Sequence, residues 1–289
     1  MNQDLPEIDW KRVDALIKMA LEEDLSDLGD ATSNSVIPKE TIATGTLKCK
    51  EDCICAGLGV AEKVFKAVDA SIEWKPLVND GDFCKSSTII AEMKGPARAL
   101  LTAERTALNF LQRLCGIAAV SKKYADAAGN GKTVILDTRK TTPGWRNLEK
   151  YAVAAGGASN HRIGLYDRVM IKDNHRELAG MEGSGGITRS VQRARETYPS
   201  LKVEVEADTL EEVKEAVEAG ADYVLLDNMT NDEMAKAVKI NAGRSKLEAS
   251  GGITLERIPS IAEIEVDFIS AGALTHSVKA TDISMEIKV

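Results

Sequence analysis

What this chain lacks narrows its chemistry before any motif is read. It has no surplus of basic residues: Asp and Glu number 45 against 37 Lys and Arg, a formal net charge of −8. The diffuse basic surface that marks nucleic-acid binding is therefore missing, and nucleic acid is not an expected partner. It has no apolar run long enough to span a bilayer, and its N-terminus is acidic and amphipathic instead of basic and then apolar. Neither a membrane partner nor a secretory leader is expected, and the expected compartment is the cytoplasm. Its five cysteines, Cys49, Cys53, Cys55, Cys84 and Cys115, are odd in number, form no CxxC pair and have no histidine nearby in sequence. That argues against a disulfide framework or a zinc knuckle, and for reduced thiols.

A length of 289 residues can bury a substantial core and fits one large or two ordinary domains. The pattern divides near residue 118. In 8–25 the positions Val13, Leu16, Ile17, Ala20 and Leu21 follow helical spacing, with Asp9 as a candidate cap. Residues 24–33 read as a polar loop, and 42–50, 53–56, 72–77 and 87–93 as strands between turn-forming residues. Residues 100–128 read as a long helix, breakable at Gly116, with Leu101, Leu108, Leu111, Leu114 and Ile117 as its apolar stripe. From residue 133 the rhythm becomes strand, polar loop, helix. Strands are predicted at 133–137, 168–172, 201–206, 223–227, 247–249 and 268–270. The helix at 210–219 is opened by Thr209, carries Glu211 and Glu212 in its first turn and is closed by Gly220. Alternation of this kind is the mark of an α/β protein with a parallel sheet. Six units are too few for an eight-stranded barrel, which leaves an open or smaller barrel, or a doubly wound sheet.

Nearly every one of these strands ends in a residue suited to chemistry. Thr138, Arg139 and Lys140 follow the first, with a Pro-Gly turn just beyond; Lys172 follows the second. Between them Ser159, Asn160, His161 and Arg162 add cationic and hydrogen-bonding groups. Local cationic clusters in an acidic protein suit a small anionic ligand, whose carboxylates or phosphates take charge-assisted hydrogen bonds from Arg and Lys. Glu206 and Asp227 end the third and fourth strands, and two carboxylates there suit a divalent cation, Mg²⁺ by preference, or sugar hydroxyls. Asp227 also suits the cap of the next helix. Glu204 lies on the same side of its strand as Glu206, as a supporting partner if that side faces inward. Ser250, Gly251 and Gly252, and then Gly272 and Ala273, follow the last two strands, with a helix N-terminus predicted just after Gly252. Glycine there lets backbone N–H groups approach phosphate, and barrel enzymes carry their sites on this face.

The segments LDTRKTTPGWRNLEKYAV, GGASNHRIGLYDRVMIKDNH, VEVEAD, LLDN, EASGGIT and SAGALTHS resemble the quinolinate phosphoribosyltransferase family, also called carboxylating nicotinate-nucleotide pyrophosphorylases. LEEDL, GDATS and GPARALLTAERTALNFLQRLCGIA extend the resemblance over nearly the whole chain. Cys115 and Trp145 depart from it, standing where Ser and an aliphatic residue are usual. The resemblance implies an open α/β barrel at 119–274 beside a mixed α/β sheet domain at 1–118, rejoined by 275–289. It also implies a homodimer, or an assembly of dimers, in which the helix bearing Arg105 reaches a neighbour's barrel mouth. On that reading Arg113, Asn109 and Gln112 interrupt the apolar helix for the same purpose.

The implied reaction joins quinolinate to phosphoribosyl pyrophosphate, in NAD biosynthesis, giving nicotinate mononucleotide, pyrophosphate and carbon dioxide. Arg105, Thr138, Arg139, Lys140, His161, Arg162 and Lys172 are then expected to neutralise and orient the two quinolinate carboxylates. Lys140, Glu206, Asp227, Ser250, Gly251, Gly252, Gly272 and Ala273 are expected around the phosphoribosyl donor, with Mg²⁺ at Glu206 and Asp227. His175 and His276 are expected at its periphery. Lys140, Lys172, Glu206 and Asp227 carry the chemical step, and Lys140, Lys172 or a bound water is the expected proton donor after decarboxylation.

Overall fold

A computed structural model describes residues 5–289. Among these the chain forms twelve strands. Five come first: β1 (Ile42–Cys49), β2 (Cys53–Ile54), β3 (Glu73–Pro76), β4 (Phe83–Cys84) and β5 (Ile89–Pro96). Six follow in an alternating α/β region: β6 (Val134–Leu136), β7 (Val169–Ile171), β8 (Val203–Ala207), β9 (Tyr223–Asp227), β10 (Lys246–Ser250) and β11 (Phe268–Ser270). The last is β12 (Ile283–Lys288). Two compact units result: Met1–Lys122 with Thr141–Gly157 and Leu274–Val289, and Lys123–Lys140 with Ala158–Ala273. The expected barrel range of 119–274 includes 141–157, a segment that belongs to the first compact unit. No helix among the described residues is long and apolar enough to cross a membrane.

In the first unit an antiparallel sheet has the order β12-β1-β5-β3, so the chain end pairs with β1. Helix α1 (Trp10–Leu25) is capped as expected by Asp9, which accepts the Arg12 N–H. The predicted polar loop at 24–33 instead gives way to a short helix, α2 (Ala31–Val36), because Asp30 caps it through Ser33 N–H. After α3 (Leu58–Val68) comes α4 (Ala97–Ala127), which runs unbroken through Gly116. That glycine serves close packing: a Cβ there would lie 2.3 Å from the Lys279 carbonyl oxygen. Leu108, Leu111, Leu114 and Ile117 are buried as expected, each worth about 1.5–3 kcal/mol. Leu101 is exposed, and Leu100 takes the inward position.

The other polar residues of α4 mostly serve this unit itself. Arg113 pairs with the buried Glu149 and donates to the Thr275 carbonyl, while Gln112 donates to the Ile283 carbonyl at 2.7 Å. The two departures from the family pattern are also accommodated here. Trp145 stacks on Phe110 with centroids 4.6 Å apart, and Cys115 accepts the Ala56 N–H. All five cysteines are buried free thiols, with Cys49 and Cys53 Sγ 3.5 Å apart, and they pack as small apolar side chains.

The second unit is a parallel sheet of order β6-β11-β10-β9-β8-β7. Sequence neighbours are space neighbours, and β6 closes onto β11, so the sheet is an open α/β barrel with its gap between β6 and β7. Residue Ser159 forms a parallel bridge to Leu136 along the free edge of β6. The linking helices are α5 (Arg146–Ala155), assigned to the first unit, then α6 (Asp173–Gly180), α7 (Gly186–Thr197), α8 (Leu210–Glu218), α9 (Asn231–Asn241), α10 (Ile258–Ala262) and α11 (Ala273–His276). Helix α8 has the full reciprocal cap between Thr209 and Glu212.

Two aspartates pin the strand-entry end of the barrel. Asp222 accepts the Val203 N–H at 2.8 Å and pairs with Arg195 and Lys202; Asp267 accepts the Leu247 N–H at 3.0 Å and pairs with Lys246. Burial opposes ionisation of both, but these partners outweigh it and hold each carboxyl below its usual range. Such depressed groups stabilise the fold above the unfolded carboxylate pKa of about 3.9, and that stability is lost as pH falls through the folded value. Asp222→Asn and Asp267→Asn are therefore expected to cost about 1.5–3 kcal/mol each near neutrality. In urea unfolding the difference from the parent should shrink once the pH drops below about 4.

Candidate active site

The opposite end of the barrel gathers the strand-end side chains. A cavity of about 480 Å³ is lined by Thr138, Arg139, Lys140, His161, Arg162, Lys172, Glu206, Asp227, Ser250 and Gly251, together with Met170, Asp173, Leu225, Glu248 and Ser270. A larger hollow of about 640 Å³ lies between α1 and α3; of its charged residues, Lys18 pairs with Glu22 and Lys63 with Asp14, leaving Lys66. His175, Gly252, Gly272 and Ala273 are not in the barrel cavity's wall. His175 instead accepts the Lys172 N–H at 3.0 Å, closing the start of α6. His276 contacts Ser277 in the first unit. Arg105 also belongs to the first unit, where it lines a hollow of about 290 Å³ with Asp24, Asp30 and Thr102.

Local geometry explains how the cations are held. Asp137, fully buried just past β6, accepts the His161 N–H at 2.8 Å and the Asn160 side chain at 3.0 Å. With the Ser159 bridge this fastens 158–162 along β6 and brings Arg162 beside Arg139. Arg162 is buried, and its Nη1 donates to the Arg168 carbonyl at 3.0 Å. Burial and then the neighbouring Arg139 both work against its charge and lower its pKa. Glu204 and Asp167 act the other way and offset part of that opposition, and the guanidinium stays charged.

Across the cavity, Lys172 Nζ lies 2.6 Å from Glu206 Oε2. Asp227 has its pKa raised by burial and by Glu206 and Asp208, against the pull of Lys172 and Lys140. The site thus has a cationic side and an acidic side in reach of one ligand. Gly251, at φ +81°, turns the chain beside Asn228; a Cβ there would sit 2.3 Å from the Asn228 Oδ1. The helix predicted directly after Gly252 is displaced: a single 3₁₀ turn, Leu255–Arg257, comes first and α10 follows it.

Three contributors escaped the sequence reading: Asp137, Arg176 and Glu248. Arg176 ties the Glu206 carbonyl at 2.5 Å and pairs with Asp208. Glu248 is fully buried, with Oε2 3.3 Å from His161 Nε2; Glu204 Oε2 is 3.4 Å from the same nitrogen. Burial opposes a charge on His161, but the two carboxylates outweigh it and raise its pKa to about 9. Yet His161 Nδ1 accepts the Arg162 N–H at 2.7 Å, which requires a lone pair there. The geometry therefore favours a ring with its hydrogen on Nε2, and puts the cluster's further proton on Glu248, whose pKa is raised by complete burial and by Glu204.

Fold and site together define an α/β-barrel protein whose strand ends gather cations and carboxylates around one cavity. The N- and C-terminal domain models of quinolinate phosphoribosyl transferase match residues 30–115 and 117–286. A chloroplastic nicotinate-nucleotide pyrophosphorylase [carboxylating] of Oryza sativa subsp. japonica is 43% identical over 94% of this chain and 77% of its own length. A probable enzyme of the same name from Bacillus subtilis is 42% identical over 90% of this chain and 88% of its own. The solved nicotinate-nucleotide pyrophosphorylase of Francisella tularensis superposes with a TM-score of 0.92 at 38% identity, covering 100% of both chains. The chain belongs to the quinolinate phosphoribosyltransferase family, decarboxylating enzymes of the pentosyltransferase kind.

The Lys172 side chain is 46% exposed in its pair with Glu206, so the pair contributes at most about 1 kcal/mol to stability. Lys140→Ala and Lys172→Ala are expected to melt within a few degrees of the parent while losing turnover by about a hundredfold or more. Wild-type turnover in either variant would remove that lysine from the site.

Proposed function

We propose that the barrel-end cavity binds quinolinate and phosphoribosyl pyrophosphate together and joins them with loss of carbon dioxide. One observation carries this: a single cavity is lined by Arg139, the buried Arg162 and Lys172 together with Glu206 and Asp227. Quinolinate is a pyridine with two adjacent carboxylates, and paired guanidiniums with Lys172 suit it. Thr138, whose hydroxyl accepts the Lys140 N–H at 3.0 Å, sets the turn that aims Arg139 and Lys140.

Mg²⁺ fits the acidic side. Its donors would be hard oxygens, and the raised pKa of Asp227 beside Glu206 and Asp208 marks carboxylate charge that a divalent cation would compensate. Glu206 and Asp227 would hold it, and it would supply charge neutralisation to the departing pyrophosphate. Lys140, Ser250 and Gly251 then receive donor oxygens. Positioning brings the pyridine nitrogen in line with the anomeric carbon, and the nearby carboxylates stabilise oxocarbenium character as pyrophosphate leaves. Once bonded to ribose, the positive ring nitrogen draws in the electron pair released as the carboxylate at ring carbon two departs as carbon dioxide. Lys140, Lys172 or a bound water returns a proton to that carbon.

Arg105 lies outside the barrel unit, and its proposed role is to complete the pocket of a partner subunit in a homodimer. A two-fold interface gives each chain the same patch to contribute to the other. The cytoplasm is the proposed compartment.

Quinolinate is expected to be used and nicotinate refused. With one carboxylate missing, part of the cationic cluster stays unpaired at a cost of about 3 kcal/mol, roughly a hundredfold in kcat/KM. Product formation from either acid with the donor and Mg²⁺ measures this, and equal use of the two acids would sink the assignment; EDTA is expected to stop the reaction and added Mg²⁺ to restore it. For the composite site, Arg105→Ala and Lys172→Ala proteins, each inactive, are expected to regain activity on mixing once subunits exchange. Each mixed dimer would hold one site with both native residues. Mixed dimers verified by mass spectrometry that stay inactive would exclude the shared site.

A further inference from the structure

The barrel interior carries more acid than this chemistry uses. Glu204 and Glu248 are fully buried, while Glu206 and Asp227 already supply the carboxylates that face the donor. Glu204 does two things at once. Its Oε2 lies 3.4 Å from His161 Nε2 and 3.1 Å from Arg168 Nη1. Both of those residues hold Arg162: His161 Nδ1 accepts the backbone N–H of the adjacent Arg162 at 2.7 Å, and the Arg168 backbone carbonyl accepts from the guanidinium Nη1 of Arg162 at 3.0 Å. The contacts close a loop from Glu204 through His161 to Arg162 and back through Arg168. Arg168 is itself fixed, its guanidinium 4.1 Å over the Tyr223 ring. Both ring nitrogens of His161 are thereby engaged within the protein, which suits the imidazole to orienting Arg162 instead of gripping substrate.

We propose that Glu204 is a positioning residue for acid recognition: through His161 on one arm and Arg168 on the other it sets the orientation of Arg162, with Glu248 steadying the imidazole. This rests on the reading that Arg162 receives a quinolinate carboxylate. His161, Glu204 and Glu248 bring ligand atoms within 4.8 Å of one another, a spacing that a metal ion could also exploit. Arg168 competes with that: its Nη1 already lies 3.1 Å from the Glu204 Oε2 that faces the imidazole, although Glu204 Oε1 has no hydrogen-bond partner.

Glu204→Gln keeps the side-chain volume and removes the charge. The expected result is a rise in KM for quinolinate of about tenfold or more, with the KM for phosphoribosyl pyrophosphate unchanged within about twofold. Arg168→Gln breaks one arm only, is expected to raise the same constant by less, and keeps the test open should Glu204→Gln fail to fold. Histidine-selective ¹⁵N labelling reads the network without substrate, since the chain has three histidines. In the native protein His161 is expected to be protonated at Nε2 and not at Nδ1, and Glu204→Gln is expected to move both resonances. A native KM for quinolinate in the folded variants, or equal rises for both substrates, would overturn the proposal. So would a stoichiometric metal ion held by the native protein and lost from Glu204→Gln. Should the native protein ignore quinolinate altogether, the substrate reading fails, and the network is judged on the His161 resonances alone.

Discussion

Arg139 and Arg162 are held together against their own repulsion, and much of the barrel end is arranged to make that arrangement tenable. Desolvation and like charge both penalise Arg162. The cost is met on the protein side by anchoring: Asp137 fastens the 158–162 segment to β6, and the Arg168 carbonyl takes one guanidinium nitrogen. Glu204 and Asp167 offset a further part, and on the proposed reading a substrate carboxylate would add to them from the cavity side. Preorganisation of this kind spends folding energy in advance, so that little reorganisation is needed when the ligand enters.

The two ends of the barrel divide the labour. At strand entry, Asp222 and Asp267 each accept the N–H of a neighbouring strand's residue and pair with surface cations, which fixes strand alignment. At strand exit the same sheet places Glu206, Asp227 and Ser250 on successive strands, aligned through the Glu206–Leu225 and Asp227–Ser250 pairs. A slip of one residue would turn each inward side chain outward. The entry-end aspartates and the exit-end site are thus joined through strand register.

Local rules reached a large part of this from sequence. Short apolar runs alternating with capped helices gave the α/β pattern, since Thr209 and Glu212 announce a helix start without any tertiary information. The cations of the site were visible because charge following an apolar run is conspicuous. Glu248 was not: it lies within a five-residue strand, and nothing in LEAS says that its carboxylate turns inward to meet a histidine from 87 residues earlier. Gly116 looked like a helix break for the same reason, because the backbone it accommodates arrives from Lys279. Arg113 and Gln112 looked like residues offered to a partner, while their acceptors lie at Glu149, Thr275 and Ile283. In each case the missing fact was a long-range neighbour. The Asp-aromatic pairs Asp222-Tyr223 and Asp267-Phe268 are the exception, a repeated signal at strand starts that could have been read.

The interior acids also bear on why a diacid is the fitting ligand. Glu204 is matched by Arg168, Glu206 by Lys172, and Glu248 by the proton that its burial favours. Glu204 and Asp167 offset part of the penalty that burial and Arg139 place on Arg162, while Asp227 stays opposed by Glu206 and Asp208. If Arg139 and Arg162 receive the acid as proposed, a monoanion would satisfy one guanidinium, whereas two adjacent carboxylates on a rigid ring would address both at once. Discrimination then comes from the penalty of an unpaired buried donor more than from added attraction, which is the stronger of the two ways a site can reject a close analogue.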